Sequence, residues 1–227
     1  MTKIPRISYN RDVKRVAGSC KRLYNILQCM AAKERKMEYR IADIRQLPRD
    51  AESLCRAEAK KRQVERYLSE EAKRRTILGI YTAKQLLAHA LGRPAETLEL
   101  EYTAAGKPYL PGSRQQVSIS HSGTRVLCAV QEGPVGADIE LLRGFDARLV
   151  SKICTPAECA YISGDAVRFF SVWTAKEAYL KLTGLGLAGG MKQVQTADET
   201  GLHRWIEGYR LQVFRQEEYV CALVYQE

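Results

Sequence analysis

Val117-Ser118-Ile119-Ser120-His121-Ser122-Gly123-Thr124-Arg125-Val126-Leu127-Cys128-Ala129-Val130-Gln131-Glu132-Gly133-Pro134-Val135-Gly136-Ala137-Asp138-Ile139-Glu140 reads as three short strands. They run from Val117 to Ser120, Arg125 to Val130 and Val135 to Glu140, and are parted by Gly123 and by Glu132-Gly133-Pro134. Working outward, Met37 to Ile44 alternates as a strand and Asp50 to Tyr67 has the composition of an exposed helix. Ser69 is placed to cap a second helix with Glu70 and Glu71 in its first turn; Ile77, Leu78, Tyr81, Leu86, Leu87 and Leu91 give it an apolar face, and Gly92 stands where a C-terminal cap belongs. Leu98, Leu100 and Tyr102 alternate as a strand before a Gly106-Lys107-Pro108 turn. Downstream, Thr155-Pro156 signals a helix start, Ala166 to Thr183 reads as a longer helix ending before Gly184, and two strands follow around Leu211–Phe214 and Tyr219–Tyr225. Strands and helices mix without βαβ regularity, which predicts an α+β fold of two similar lobes, each a small antiparallel sheet packed with helices. The expected organisation is a basic leader over 1–36 without fixed structure, an N-terminal lobe over 37–105 and a C-terminal lobe over 106–227.

The 227 residues are 45% hydrophobic, enough for a real core. Seven cysteines (20, 29, 55, 128, 154, 159, 221) include no CxxC pair and several sit in apolar runs. A disulfide scaffold or zinc site is therefore not expected, and buried free thiols in a reducing, cytoplasmic compartment are. No run of 18 apolar residues offers a membrane span. The net charge of +10 is concentrated at one end: residues 1–36 carry ten Lys/Arg against Asp12 and Glu34, and the other 191 residues, with 26 bases and 24 acids, are close to neutral. That distribution argues against a nucleic-acid-binding body, and the expected chain is a monomer with no nucleic-acid or membrane partner. Met37 could itself be a natural start.

The residues with chemical potential fall into short segments. Asp138 and Glu140, two apart on a strand, share one face; Gly136 leaves room for close approach by a ligand or another backbone. Glu177 and Lys181, four apart on a helix, also share a face, surrounded by Phe169, Phe170, Val172, Trp173, Tyr179, Leu180 and Leu182. Taken singly, each pair is as well read as solvated surface. Together they offer three hard oxygen ligands and a lysine beside them. Ser118-Ile119-Ser120-His121-Ser122 can donate hydrogen bonds to a phosphate; it does not suit Ser/His nucleophilic catalysis, because neighbours on a strand point to opposite faces and no Gly-x-Ser-x-Gly turn is present. Arg74, Arg75, Thr76 and Lys107 are further phosphate contacts by residue type, with surface charge as the plainer reading.

The order of these segments resembles the 4'-phosphopantetheinyl transferases of the surfactin type. The likeness covers roughly residues 37–187. Lys73-Arg74-Arg75-Thr76-Ile77-Leu78-Gly79, Gly106-Lys107-Pro108 and Ser118-Ile119-Ser120-His121-Ser122 follow the family's order. Val135-Gly136-Ala137-Asp138-Ile139-Glu140 and Trp173-Thr174-Ala175-Lys176-Glu177-Ala178-Tyr179-Leu180-Lys181 then match its signature, hydrophobic-Gly-x-Asp followed by Trp-Thr-x-Lys-Glu-x-x-x-Lys. The resemblance implies an enzyme, a holo-[acyl-carrier-protein] synthase, that moves 4'-phosphopantetheine from coenzyme A to a serine of an apo acyl or peptidyl carrier protein. Such an enzyme would serve fatty-acid, polyketide or nonribosomal-peptide biosynthesis and release adenosine 3',5'-bisphosphate. It implies Asp138, Glu140 and Glu177 as ligands of Mg²⁺, with Glu177 and Lys181 as the catalytic residues. Arg75, Thr76, Lys107, Ser120, His121, Asp138 and Lys181 are implied as coenzyme A contacts. The alternative is an inactive or regulatory module of the same fold that only binds carrier proteins or nucleotides. Residues past 188 match only in general strand character, and Ile139 leaves the strand with two acids rather than three.

Overall fold

Sheet order follows from which strands are apolar on both faces. The computed structural model describes residues 37–55, 69–186 and 190–227. The expected leader, most of the helix expected from Asp50, and Cys20 and Cys29 lie outside them. Arg125–Glu132 (β5) is buried along nearly its whole length, as a strand covered on both sides must be. Val126, Cys128 and Val130 pack under Glu70–Leu91 (α2), whereas Leu127 and Ala129 join an apolar layer with Val135, Ala137, Ile139, Cys221 and Leu223. Tyr219–Tyr225 (β11) repeats the pattern: Val220, Ala222 and Val224 face the core under Ala166–Thr183 (α5), and Tyr219, Cys221 and Leu223 face the shared layer. The result is helix, sheet, sheet, helix, with two antiparallel sheets packed face to face.

The first sheet orders its strands as Glu38–Asp43 (β1), β5, Gln115–Ser122 (β4), Pro108–Tyr109 (β3) and Glu101–Tyr102 (β2). The second orders Val135–Leu141 (β6), β11, Tyr209–Gln216 (β10) and Trp205–Ile206 (β9). A separate two-stranded hairpin joins Ala197–Asp198 (β7) to Gly201–Leu202 (β8). Among the described residues there are also the short α-helices Ala51–Cys55 (α1), Ala147–Ile153 (α3) and Pro156–Ile162 (α4). The α+β reading holds. The expected change of lobe at 105/106 does not coincide with the change of sheet: β3, β4 and β5 pair with β1 and β2, and the chain crosses between sheets at Gly133-Pro134. The Gly-Lys-Pro turn looked like a seam but closes a hairpin, with Thr103 N–H donating to the Lys107 carbonyl.

Local signals account for both long helices. Ser69 accepts from Ala72 N–H, and Gly92 ends α2 in the left-handed region at φ 62°. Asp165 accepts from Arg168 N–H at the start of α5, and Gly184 ends it at φ 74°. Thr155 and Glu158 form a reciprocal capping box on α4 with Pro156 at its first turn. Among the described cysteines, Cys55, Cys128, Cys154 and Cys221 are buried and Cys159 is partly buried. None of the described helices is long and apolar enough to cross a membrane.

Candidate functional site

Gly136 sets the distance between β6 and α5. A Cβ there would lie 1.9 Å from the Ala178 carbonyl oxygen and 2.8 Å from the Leu182 amide, so the close approach is by another backbone rather than by a ligand. Because strand side chains alternate, Asp138 and Glu140 stand on the same face of β6 as Gly136, toward α5. That helix presents Glu177 and Lys181 one turn apart at the same seam.

Asp138 is 4% exposed. Its Oδ1 accepts from Lys181 Nζ at 2.6 Å and from Ser120 Oγ at 2.6 Å. Its Oδ2 is buried without a hydrogen-bond partner. Burial pushes the Asp138 carboxyl upward, against the pull of the Lys181 ammonium and the Ser120 hydroxyl. Glu140 accepts from Ser122 Oγ at 2.8 Å and from Arg143 at 3.2 Å. Glu177 is half-buried, and its carboxyl is pushed up to about 7, first by burial and then by the Asp138 carboxylate, with Lys181 opposing. A carboxyl poised there can hold or release a proton near neutrality.

Serines 118, 120 and 122 form a row on the face of β4 turned toward β6. As an edge strand, β6 has outward amides with no strand partner. Ser118 takes the amide of Ala137 at 2.9 Å, Ser120 that of Ile139 at 3.4 Å and Ser122 that of Leu141 at 3.1 Å. Ser120, expected as a coenzyme contact, is engaged within the protein: its hydroxyl donates to Asp138, and its oxygen receives Lys181 Nζ at 2.8 Å and the Ile139 amide.

The remaining expected contacts divide into two groups. Lys107 stands on a cleft of about 230 Å³ that also takes in Gly106, Ser118, Glu177, Lys181 and Gly184. Its Nζ donates to the Leu182 carbonyl at 2.7 Å, and burial holds its ammonium below the usual lysine range. Arg75 and Thr76 do not line this cleft: Arg75 donates to the Gly123 carbonyl at 3.0 Å, and the Thr76 hydroxyl donates to Ala72 O at 3.1 Å. Exposed His121, between Ser120 and Ser122 on β4, points to the α2 side of the sheet, where Gly79 meets Ile119.

Among the described residues, no three His, Cys, Asp or Glu side chains are gathered closely enough to hold a metal ion as they stand. The donors nevertheless suit a hard cation: they are carboxylate oxygens, and one of them, Asp138 Oδ2, is buried and unsatisfied.

Lys176, beside Glu177 in the sequence, has a structural task that the sequence left unread. It and Glu158 are both fully buried, 2.8 Å apart. Its ammonium also donates to the carbonyls of Met191 and Val194, and Glu158 accepts from Thr155 N–H and from the amide and hydroxyl of Thr196. The Thr155-x-x-Glu158 spacing was a signal for the cap; nothing local pointed to Lys176.

Comparison with known proteins bears on this seam. Residues 134–224 match the model of the 4'-phosphopantetheinyl transferase superfamily. The chain is 34% identical over 127 residues to 4'-phosphopantetheinyl transferase psf-1 of Bacillus pumilus, covering 52% of this chain and 53% of that protein. It is 30% identical over 127 residues to 4'-phosphopantetheinyl transferase gsp of Aneurinibacillus migulanus, covering 54% and 53%. To 4'-phosphopantetheinyl transferase Sfp of Bacillus subtilis strain 168 it is 24% identical over 135 residues, covering 57% and 60%. The chain thus spans somewhat over half the length of the curated relatives it matches.

Proposed function

We propose that this chain, whose residues 134–224 match the 4'-phosphopantetheinyl transferase superfamily, transfers 4'-phosphopantetheine from coenzyme A to a serine hydroxyl of an apo carrier protein. The observation that carries the reading is the meeting of α5 and β6 at one seam, where Lys181 touches Asp138 and Glu177 stands beside them with its carboxyl raised to about 7. In this reading Glu177 takes the proton as the carrier serine oxygen attacks the pantetheine-side phosphorus. A new oxygen–phosphorus bond forms, the bridging bond of the pyrophosphate breaks, and its electron pair leaves on adenosine 3',5'-bisphosphate. The Lys181 ammonium meets the charge that develops on that leaving group. Lys107 takes phosphate at the cleft wall, and Arg75, Thr76 and His121, grouped on the α2 side of the first sheet, take the nucleotide end. Asp138, Glu140 and Glu177 would hold Mg²⁺, which when bound neutralises charge on the pyrophosphate and templates the displacement.

The test is incubation with coenzyme A, Mg²⁺ and a panel of fatty-acid, polyketide and peptide apo carrier proteins, with and without chelator. Mass spectrometry should find phosphopantetheine on the carrier serine, and none with chelator present. Glu177→Gln should cut turnover by about 10²-fold. Near-normal transfer by both Glu177→Gln and Asp138→Ala would remove the assignment.

A further inference from the structure

Resting on that reading, we infer that Tyr219 is a positioning residue for the nucleotide end of coenzyme A: its hydroxyl fixes the peptide between Gly123 and Thr124, and that peptide's carbonyl holds the Arg75 guanidinium. Tyr219 belongs to β11 of the second sheet, is 2% exposed and has its ring in the apolar layer between the sheets. Its hydroxyl reaches the turn between β4 and β5 of the first sheet, where it accepts from the Thr124 amide at 3.2 Å and lies 3.3 Å from Thr124 Oγ1. The Gly123 carbonyl accepts from Arg75 Nη1 at 3.0 Å. That carbonyl and the Thr124 N–H belong to one planar peptide group and point in opposite directions. The tyrosine hydroxyl and the arginine guanidinium therefore grip the two sides of a single rigid unit, and the first sets the direction of the acceptor that the second meets.

Glycine at 123 makes this contact possible. Its backbone is in the left-handed region at φ 53°, and a Cβ there would lie 2.7 Å from the Tyr219 hydroxyl. On either side the turn is held by other groups: Ser122 bonds Glu140 and the Leu141 amide, and the Thr124 carbonyl accepts from the Ile44 amide at 2.9 Å. Loss of the Tyr219 hydroxyl thus leaves the turn in place and frees the tilt of one peptide. Arg75 is 21% exposed at its side chain and has Glu71 one turn before it on α2, at 3.6 Å; that glutamate is 72% exposed, and such a surface pair directs a guanidinium weakly. The Gly123 carbonyl is the shorter contact, and with one Nη engaged there the remaining donors of Arg75 can meet a phosphate.

Tyr219→Phe keeps the ring and its packing and removes the hydroxyl. It should raise KM for coenzyme A about fivefold, the worth of one hydrogen bond, with kcat changed less than about twofold. Calorimetry should show the same loss of affinity for adenosine 3',5'-bisphosphate, which is the nucleotide end alone. In an Arg75→Gln background the substitution should cost nothing further. A fall in kcat with KM retained, or losses that multiply with those of Arg75→Gln, overturns the inference. Guanidinium ¹⁵N spectra of the ligand-free chain decide the matter without activity. The Arg75 Nη signals, identified by their loss in Arg75→Lys, should be resolved by hindered rotation in the unsubstituted chain and averaged in Tyr219→Phe. Those of Arg74, which donates twice to the Ile44 carbonyl, should be the same in both. Averaged Arg75 signals in the unsubstituted chain, or resolved ones in Tyr219→Phe, sink the inference whatever the transfer assay gives. Absence of transfer by the unsubstituted chain would sink only the transferase reading.

Discussion

At the scale of single residues, burial determines what each carboxyl at the seam can do. Glu177 and Asp138 are drawn upward by the same cause, loss of water, but Asp138 has Lys181 and Ser120 bonded directly to it. Glu177, without such direct partners, is pushed up to about 7. Carboxyl ¹³C shifts of the ligand-free chain should show Glu177 titrating at about 7, and this transition should vanish in Glu177→Gln. A base must be ionised to accept a proton, so transfer should rise with pH through that region and flatten above it. The linkage has the opposite sign for stability. The folded chain binds the Glu177 proton more tightly than the unfolded chain, so this group costs stability progressively as pH rises from its ordinary value of 4.5 toward about 7. Glu177→Gln should therefore raise Tm at pH 8 and leave it nearly unchanged at pH 4, as differential scanning fluorimetry can measure.

At the scale of elements, the pairing of β6 with α5 is the unit that makes the site. Gly136 allows the contact through the absence of a side chain. Gly136→Ala would drive a methyl into the Ala178 carbonyl and the Leu182 amide, which are helix backbone and cannot rotate away. A loss of about 3 kcal/mol or more in urea unfolding is expected, since overpacking typically costs about 1–3 kcal/mol even where side chains can give. The opposite side of the same helix is anchored by Lys176 and Glu158. Removing one partner of a buried ion pair leaves the other uncompensated, so Lys176→Met should cost about 3–5 kcal/mol, and the double variant Lys176→Met/Glu158→Gln distinctly less. If the double variant proved the less stable of the two, the pair would be contributing more than mutual charge compensation.

At the scale of the whole molecule, the two sheets are held together by apolar contact in the shared layer, by the serine row and by a charged network at one end. Asp43 of β1 accepts from Arg45 and Arg125, and Arg125 also reaches Glu217 in the turn between β10 and β11. Hydrogen bonding to Arg45, helped by the Arg125 charge, holds the Asp43 carboxyl down at about 2. A depressed pKa contributes stability above the unfolded value of 3.8 and loses it as pH falls toward about 2. Acid unfolding followed by circular dichroism should accordingly steepen between those values and flatten in Asp43→Asn. At neutral pH that variant should be less stable by about 1–3 kcal/mol, because Arg125 is left without its buried partner.

The sequence by itself determined the elements and their ends. Ser69, Gly92, Pro156, Asp165 and Gly184 act on backbone groups within a turn of themselves, so their effect is legible locally. It also determined which acids share a face, since the two-residue spacing of Asp138 and Glu140 and the four-residue spacing of Glu177 and Lys181 follow from strand and helix periodicity. Tertiary structure alone decided that β3, β4 and β5 join β1 and not β6, because strand pairing across more than eighty residues leaves no mark at a turn. It decided that Gly136 makes way for a helix, that Lys176 is a buried strut and that Ser120 is occupied by Asp138 and Lys181. A hydroxyl or an ammonium has the same local signature whether it faces a ligand or a neighbour; its partners, brought from eighteen and sixty-one residues away, are what distinguish the two.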